Sequence, residues 1–127
     1  MATVIHKLAL VEAGAELGED VRIGPFCHVG GQAKIGAGSE LKAHVTIIGD
    51  TTLGAGCTVW PHAVLGGDPQ SKAHQGGPTR LVIGDNCIIR EFCTFNRGSD
   101  GSRGVTRVGP NGYFMTGAHI AHDCDVG

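Results

Sequence analysis

The sequence repeats an apolar residue at every sixth position, and this period constrains the fold more than any other feature. A step of six from Ile5 reaches an aliphatic residue each time up to Leu65. The intermediate positions are Val11, Leu17, Ile23, Val29, Ile35, Leu41, Ile47, Leu53 and Val59; the series resumes at Ile83, Ile89, Phe95, Val108, Phe114, Ile120 and Val126. Short apolar runs with this period are typical of a parallel β-helix, in which each hexad forms one strand and one corner. Three hexads complete a triangular coil, so the sequence predicts an all-β fold of about six coils.

Two further positions of the hexad support this interpretation. We call the repeating apolar position i. Position i+1 is often glycine, which suits a turn that needs a positive φ or a close approach of two backbones. Position i+4 is mostly small and holds all five cysteines: Cys27, Cys57, Cys87, Cys93 and Cys124. We therefore expect the thiols to point inward as small apolar groups, and not to form disulfides, bind metal or act as nucleophiles.

Composition excludes several classes of protein. The net charge is −2, with basic and acidic residues interspersed, so no basic patch predicts binding of nucleic acid. No apolar stretch approaches the roughly 20 residues of a membrane span, and the first residues lack the apolar core of a signal peptide. Glycine accounts for 22 of 127 residues without the triplet period of collagen, which favours turns. We expect one cytoplasmic domain over residues 1–127.

The period is interrupted twice, between Leu65 and Ile83 and between Phe95 and Val108. If the three faces of the coil are A, B and C, starting with Ile5 on A, both interruptions follow face B. The corner with His122 and Asp123 also follows a face-B residue. Two loops and an outward His–Asp pair are thus expected at one edge, which is typical of a functional site. An isolated surface histidine is more often only solvated, and four of the other histidines, His6, His28, His44 and His62, are interpreted as solvated or as subunit contacts.

Several motifs together carry a resemblance to a known family. They are the hexad array, GGDPQSKAHQGGPTR at 66–80, IREF at 89–92, NRGS at 96–99 and AHIAHDCDVG at 118–127. The chain resembles the N-terminal half of the bacterial UDP-N-acetylglucosamine acyltransferases. This resemblance implies a homotrimer of left-handed β-helices that moves an (R)-3-hydroxyacyl group from acyl carrier protein to the glucosamine 3-hydroxyl, the first step of lipid A biosynthesis. Left-handed winding departs from the usual right-handed crossover, so it is an implication of the resemblance alone.

The resemblance also assigns roles to residues. It places the general base at His122, with Asp123 beside it and His119 as a neighbour that contacts the substrate. Met115 and Gln70 match positions that contact the sugar nucleotide. An imidazole suits proton removal at neutral pH, and a general base typically contributes about 10²- to 10⁴-fold. The resemblance implies no metal and no organic cofactor, because the acyl donor itself carries phosphopantetheine.

The chain departs from the family at two places. Where members often read P-Q-D-L-K-Y, this chain has Ser71 at the aspartate position and Ala73 at the lysine position, and we expect Lys72 to substitute as a substrate contact. The chain also stops at Gly127 within a coil, without the further coils and helical tail that the resemblance implies. We therefore expect a truncated form of a longer protein.

Three other functions remain open. One is a different hexapeptide acyl- or acetyltransferase, since hexads are common to many of them. Another is a γ-type zinc carbonic anhydrase, in which His119 and His122 would offer two ligands, although a third is not evident. The last is a non-catalytic assembly subunit, a function that would not explain why His119, His122 and Asp123 lie at one edge.

Overall fold

The computed structural model describes residues 2–72 and 75–127, which form short strands joined by turns. The first nine strands are β1 (Val4–Ile5), β2 (Leu10–Val11), β3 (Glu16–Leu17), β4 (Arg22–Ile23), β5 (His28–Val29), β6 (Lys34–Ile35), β7 (Glu40–Leu41), β8 (Thr46–Ile47) and β9 (Asp50–Leu53). The others are β10 (Thr58–Val59), β11 (Val64–Gly67), β12 (Arg80–Ile83), β13 (Ile88–Ile89), β14 (Thr94–Asn96), β15 (Val105–Val108), β16 (Tyr113–Phe114), β17 (His119–Ile120) and β18 (Asp125–Val126). No helix in this part of the chain is long and apolar enough to cross a membrane.

The strands form three parallel sheets of six strands, one on each face of a prism. Sheet A has the order β1-β4-β7-β10-β13-β16, sheet B contains β2, β5, β8, β11, β14 and β17, and sheet C contains β3, β6, β9, β12, β15 and β18. Every third strand therefore lies in the same sheet, as the hexad period predicted. Val4 pairs with Arg22 one coil later, whereas Leu53 pairs with Ile83 across the first interruption. The predicted fold, a left-handed parallel β-helix, is confirmed.

The hexad residues fill the interior of the prism. Side chains at position i, such as Ile47, Leu65 and Phe95, are completely buried. The Phe95 ring also meets Phe114 edge to face, with ring centroids 5.0 Å apart. Because each coil covers the one before it, apolar burial continues along the axis and supplies the main stabilising contribution.

The cysteines lie inside, as predicted. All five are free thiols, four of them buried and Cys124 half-buried. Burial raises the pKa of the Cys27, Cys57 and Cys93 thiols, so these groups stay protonated and unreactive at neutral pH.

Glycine at position i+1 serves close approach and, in most coils, not a positive φ. A Cβ on Gly24 would lie 1.5 Å from the carbonyl oxygen of Lys42 in the next coil, and Gly24 is not among the residues with positive φ. Gly66 is an exception, with φ of 88°. The left-handed conformation falls mainly at position i+3, where Asp20 and Asn86 have φ of 58° and 59°. The expectation that the i+1 glycine adopts a positive φ is therefore wrong in most coils, because the residue with the left-handed conformation lies two positions later, at i+3.

An aromatic column runs along the corner between sheets A and B, formed by Phe26, His44, His62 and Phe92. Successive ring centroids are 5.0, 4.9 and 5.1 Å apart and the rings are nearly parallel. All four residues have a positive φ, which aims their side chains outward from equivalent corners. His44 and His62 are therefore stacked between two phenylalanines, an arrangement that the sequence interpretation did not include.

Candidate functional site

Both loops leave the prism at the corner between sheets B and C, as the period predicted. The first loop, residues 68–79, joins β11 to β12, and the second loop, residues 97–104, joins β14 to β15. The corner after β17 carries His122 and Asp123 and occupies the same edge one coil later.

The second loop is tied to the first through its N-terminal end. The Arg97 guanidinium forms an ion pair with the Asp68 carboxylate and donates from Nε to the carbonyl oxygen of Gly66 at 2.9 Å. The Asn96 side-chain amide donates to the carbonyl oxygen of Asp68 at 2.7 Å. An arginine in a loop can bind an anion, but the Arg97 guanidinium is instead engaged with the start of the first loop.

Asp100 makes a second contact between the two loops, near the middle of each. The Asp100 carboxylate accepts hydrogen bonds from the backbone N–H groups of Gln75 and Gly77, at 3.0 and 3.2 Å. A carboxylate that accepts two backbone donors fixes the relative position of both segments, because such charge-assisted bonds are stronger than neutral ones. The path of the first loop therefore depends on the second.

Asp123 fastens the second loop to the His122 corner. Its side chain is 8% exposed. The carboxylate accepts from the Ser99 hydroxyl at 2.6 Å, from the Ser99 N–H at 3.0 Å and from the Gly104 N–H at 3.0 Å. Its own backbone N–H donates to Thr106 Oγ1 at 2.8 Å. The Asp123 carboxylate thus binds the second loop near both of its ends.

The same carboxylate is held in its ionised form. Burial raises the pKa of Asp123, but the hydrogen bonds from Ser99, His122 and Gly104 together outweigh it, and the net pKa lies below the usual value. Asp123 is therefore charged at neutral pH and can act only as an acceptor.

This charge state determines the tautomer of His122. Nδ1 of His122 lies 2.8 Å from Oδ2 of Asp123. Because the carboxylate cannot donate, Nδ1 must carry a hydrogen, and in the neutral imidazole this leaves Nε2 with a free lone pair. The His122 side chain is 33% exposed, so the ring is accessible to a molecule at this edge. A neutral imidazole oriented by a carboxylate is the arrangement of a general base.

The remaining predicted residues are more dispersed. His119 is exposed on the outer side of sheet B, with Nδ1 2.8 Å from Thr94 Oγ1 and 3.1 Å from the Thr94 carbonyl oxygen. Met115 follows β16 at the corner between sheets A and B and is 73% exposed. Within a single chain, Met115 and His122 therefore lie at opposite edges of sheet B.

The predicted contacts of the first loop are accessible. Gln70 and Lys72 are both exposed, whereas Ser71 is half-buried. Ala73 and His74 lie outside the described residues. The substrate-binding roles of His119, Met115, Gln70 and Lys72 remain predictions.

The zinc alternative gains no support from the geometry. Among residues 2–72 and 75–127, no group of three or more histidine, cysteine or acidic side chains could hold a metal ion. The imidazole of His122 is oriented by Asp123 in the manner of a base, and that of His119 contacts Thr94.

The sequence interpretation missed the residues that organise the two loops, namely Ser99, Asp100 and Arg97. A signal for one of them was present. Ser99 is four residues after Phe95 and so continues the i+4 series of small inward residues, and it is 5% exposed. The pairings of Asp100 and Arg97 follow no period, because irregular loops determine them.

Comparisons with known proteins agree with this geometry. The bacterial transferase hexapeptide (six repeats) family matches residues 14–49 and 32–67. The acyl-[acyl-carrier-protein]–UDP-N-acetylglucosamine O-acyltransferase of Brucella ovis is 59% identical over 98% of this chain. The solved structure of LpxA from Acinetobacter baumannii superimposes with a TM-score of 0.96 at 39% identity, over 98% of this chain. The chain belongs to the UDP-N-acetylglucosamine O-acyltransferase family.

These members of the acyltransferase family are about twice as long as this chain. The chain spans 45% of the Brucella ovis protein and 48% of the Acinetobacter baumannii chain. A UDP-N-acetylglucosamine acyltransferase of Francisella novicida, with a TM-score of 0.95 and 41% identity, is matched over 45% of its chain. The two loops and the His122 corner fall within the matched part.

Proposed function

We propose that this protein transfers an (R)-3-hydroxyacyl group from acyl carrier protein to the 3-hydroxyl of UDP-N-acetylglucosamine, with His122 as the general base. The observation that carries the proposal is the 2.8 Å contact from Nδ1 of His122 to the ionised Asp123 carboxylate, which leaves Nε2 free to accept a proton. The matched relatives are UDP-N-acetylglucosamine acyltransferases, and this similarity supplies the substrate class.

The chemistry needs few groups. A sugar hydroxyl is a poor nucleophile, whereas a thioester is an activated acyl donor. Nε2 of His122 removes the hydroxyl proton as the oxygen attacks the thioester carbonyl. The carbon–sulfur bond then breaks, and the imidazolium returns the proton to the departing phosphopantetheine thiolate. Asp123 stabilises the imidazolium between these two transfers.

The other predicted residues bind and orient the acceptor. His119 lies beside the His122 corner on the outer side of sheet B, and Gln70 and Lys72 are accessible on the first loop. The proposed reaction uses no metal and no organic cofactor of the protein's own, since the thioester is already activated by the phosphopantetheine of the donor. The proposed location is the cytoplasm, where both substrates would be available.

We also propose that the protein acts as a homotrimer. Met115 and His122 occupy opposite edges of sheet B in one chain, so a site that uses both needs the edge of a neighbouring chain. Light scattering of the full-length protein is expected to give three times the mass of one chain. A monomer that retained full activity would contradict this assembly.

The reaction is tested by incubating the full-length protein with UDP-N-acetylglucosamine and a 3-hydroxyacyl carrier protein, and following both free thiol and acylated sugar nucleotide. Thiol release that requires the sugar nucleotide is the expected result. A parallel reaction with the 3-amino analogue of UDP-N-acetylglucosamine would show whether the acceptor atom is oxygen or nitrogen. The absence of any transfer would leave a non-catalytic subunit as the better account.

A further inference from the structure

We propose that Ser99 is a positioning residue that fixes the Asp123 carboxylate and thereby holds the His122 imidazole in its proton-accepting tautomer. This inference rests on the proposed function of His122. Its structural basis is that one carboxylate oxygen, Oδ2 of Asp123, accepts from both the Ser99 hydroxyl at 2.6 Å and His122 Nδ1 at 2.8 Å.

Ser99 is suited to orient the carboxylate. Its backbone N–H and its hydroxyl both donate to Asp123, so a single residue holds the carboxylate at two points. The Gly104 N–H holds the other oxygen, Oδ1, at 3.0 Å. These three donors define the plane of the carboxylate and direct a lone pair of Oδ2 toward the imidazole.

Burial makes the Ser99 position rigid. The residue is 5% exposed and occupies the i+4 position that continues from Phe95, whose side chain is completely buried. The hydroxyl is thus placed by the coil itself and not only by the irregular part of the loop. Its removal would free Oδ2 from one of its fixed donors and allow the carboxylate to rotate away from Nδ1.

A purely structural role would produce a different result from a positioning role. If Ser99 only anchored the second loop, its loss would act by disordering the loop, and other changes in that loop would have similar effects. If Ser99 acts through Asp123, the effect should appear in the protonation pattern of His122 and in the chemical step. Proton transfer is sensitive to small displacements of the base.

The kinetic test uses three variants of the full-length protein. Ser99→Ala removes the hydroxyl but keeps the backbone donor, Ser99→Thr keeps a hydroxyl, and Ser102→Ala is the matched control on an exposed serine of the same loop. We expect Ser99→Ala to lower kcat about tenfold with KM little changed, since the lost interaction matters in the transition state. Ser99→Thr should recover part of the loss, and Ser102→Ala should match the wild type.

A second measurement does not depend on activity. The ¹⁵N chemical shifts of the His122 ring report which nitrogen carries the hydrogen at neutral pH. We expect a single Nδ1–H tautomer in the wild type and a mixture in Ser99→Ala. If the wild type transfers no acyl group, the proposed function fails, while this spectrum still decides whether Ser99 controls the imidazole.

The inference is overturned if the His122 spectrum of Ser99→Ala is the same as that of the wild type, whatever happens to kcat. It is also overturned if the tautomer changes while kcat of an active enzyme does not. A fall in kcat of equal size in Ser99→Ala and Ser102→Ala would assign the effect to loop order and would likewise refute the positioning role.

Discussion

Gly24→Ala should destabilise the β-helix severely, although alanine is compatible with the backbone conformation at this position. The added Cβ would lie 1.5 Å from the carbonyl oxygen of Lys42, whereas Cβ atoms hardly ever approach a neighbour within 3.0 Å. The two coils must separate by about 1.5 Å, which stretches the 2.8 Å hydrogen bond from the Gly24 N–H to the Leu41 carbonyl beyond bonding distance. Overpacking costs about 1 to 3 kcal/mol and each unmade buried hydrogen bond a further 1 to 3 kcal/mol. We expect the free energy of unfolding to fall by about 3 kcal/mol or more.

Gly38→Ala is the matched control for this substitution. Gly38 has φ of 74° and no atom within 4 Å of the place that a methyl group would occupy, so alanine meets only the left-handed backbone penalty of about 1 kcal/mol. Urea unfolding of the full-length protein, followed by circular dichroism, compares the two. Gly24→Ala should lower the free energy of unfolding by about 2 kcal/mol more than Gly38→Ala does. Equal effects, or a larger effect at Gly38, would refute the reasoning that close approach and not φ selects glycine at position i+1.

Three further substitutions test other parts of the structure. Phe95→Ala should lower the free energy of unfolding by about 3 to 5 kcal/mol, measured in urea, because it empties a fully buried site and removes the edge contact with Phe114. His62→Asn should cost about 1 to 2 kcal/mol in the same assay, since asparagine tolerates the positive φ but loses both stacking partners of the aromatic column. Asp123→Asn should destabilise at pH 7. Because the pKa of Asp123 is lowered in the folded protein, the ionised carboxylate stabilises the fold at pH values above the usual aspartate pKa of about 4. This stabilisation is lost as the pH falls through the lower pKa of the folded state. The difference in urea midpoint between Asp123→Asn and the wild type should therefore narrow in acid.

The coil architecture could be predicted because it depends on a period that every turn of the chain repeats. Each hexad must place residue i inward, so the phase alone assigned strands such as β4 and β17 to their correct sheets. The order of the faces also survived both interruptions, because an inserted loop must return the chain to the next face, although the step from Phe95 to Val108 is not a multiple of six. The handedness could not be predicted this way, since a period of six is compatible with either winding direction.

The site was predictable only in part, for physical reasons that differ between residues. The hexad phase determines where His122 and Asp123 lie, and their adjacency made the hydrogen bond between them a reasonable expectation. The contacts of Ser99, Asp100 and Arg97 depend on the path of two irregular loops, which no period encodes. The aromatic column was visible as rings at position i+3 in Phe26, His44 and His62, but its meaning required knowing that equivalent corners stack.

The most direct test of the proposed mechanism compares His122→Ala with His119→Ala in the full-length protein. The His122 side chain is one-third exposed at a corner, so its removal opens no core cavity, and the melting curve should match the wild type. Steady-state kinetics with UDP-N-acetylglucosamine and a 3-hydroxyacyl carrier protein should show kcat lowered about 10²- to 10⁴-fold for His122→Ala, the usual contribution of a general base. His119→Ala should act mainly through KM. Near-wild-type turnover in a folded His122→Ala protein would contradict the assignment of His122 as the base.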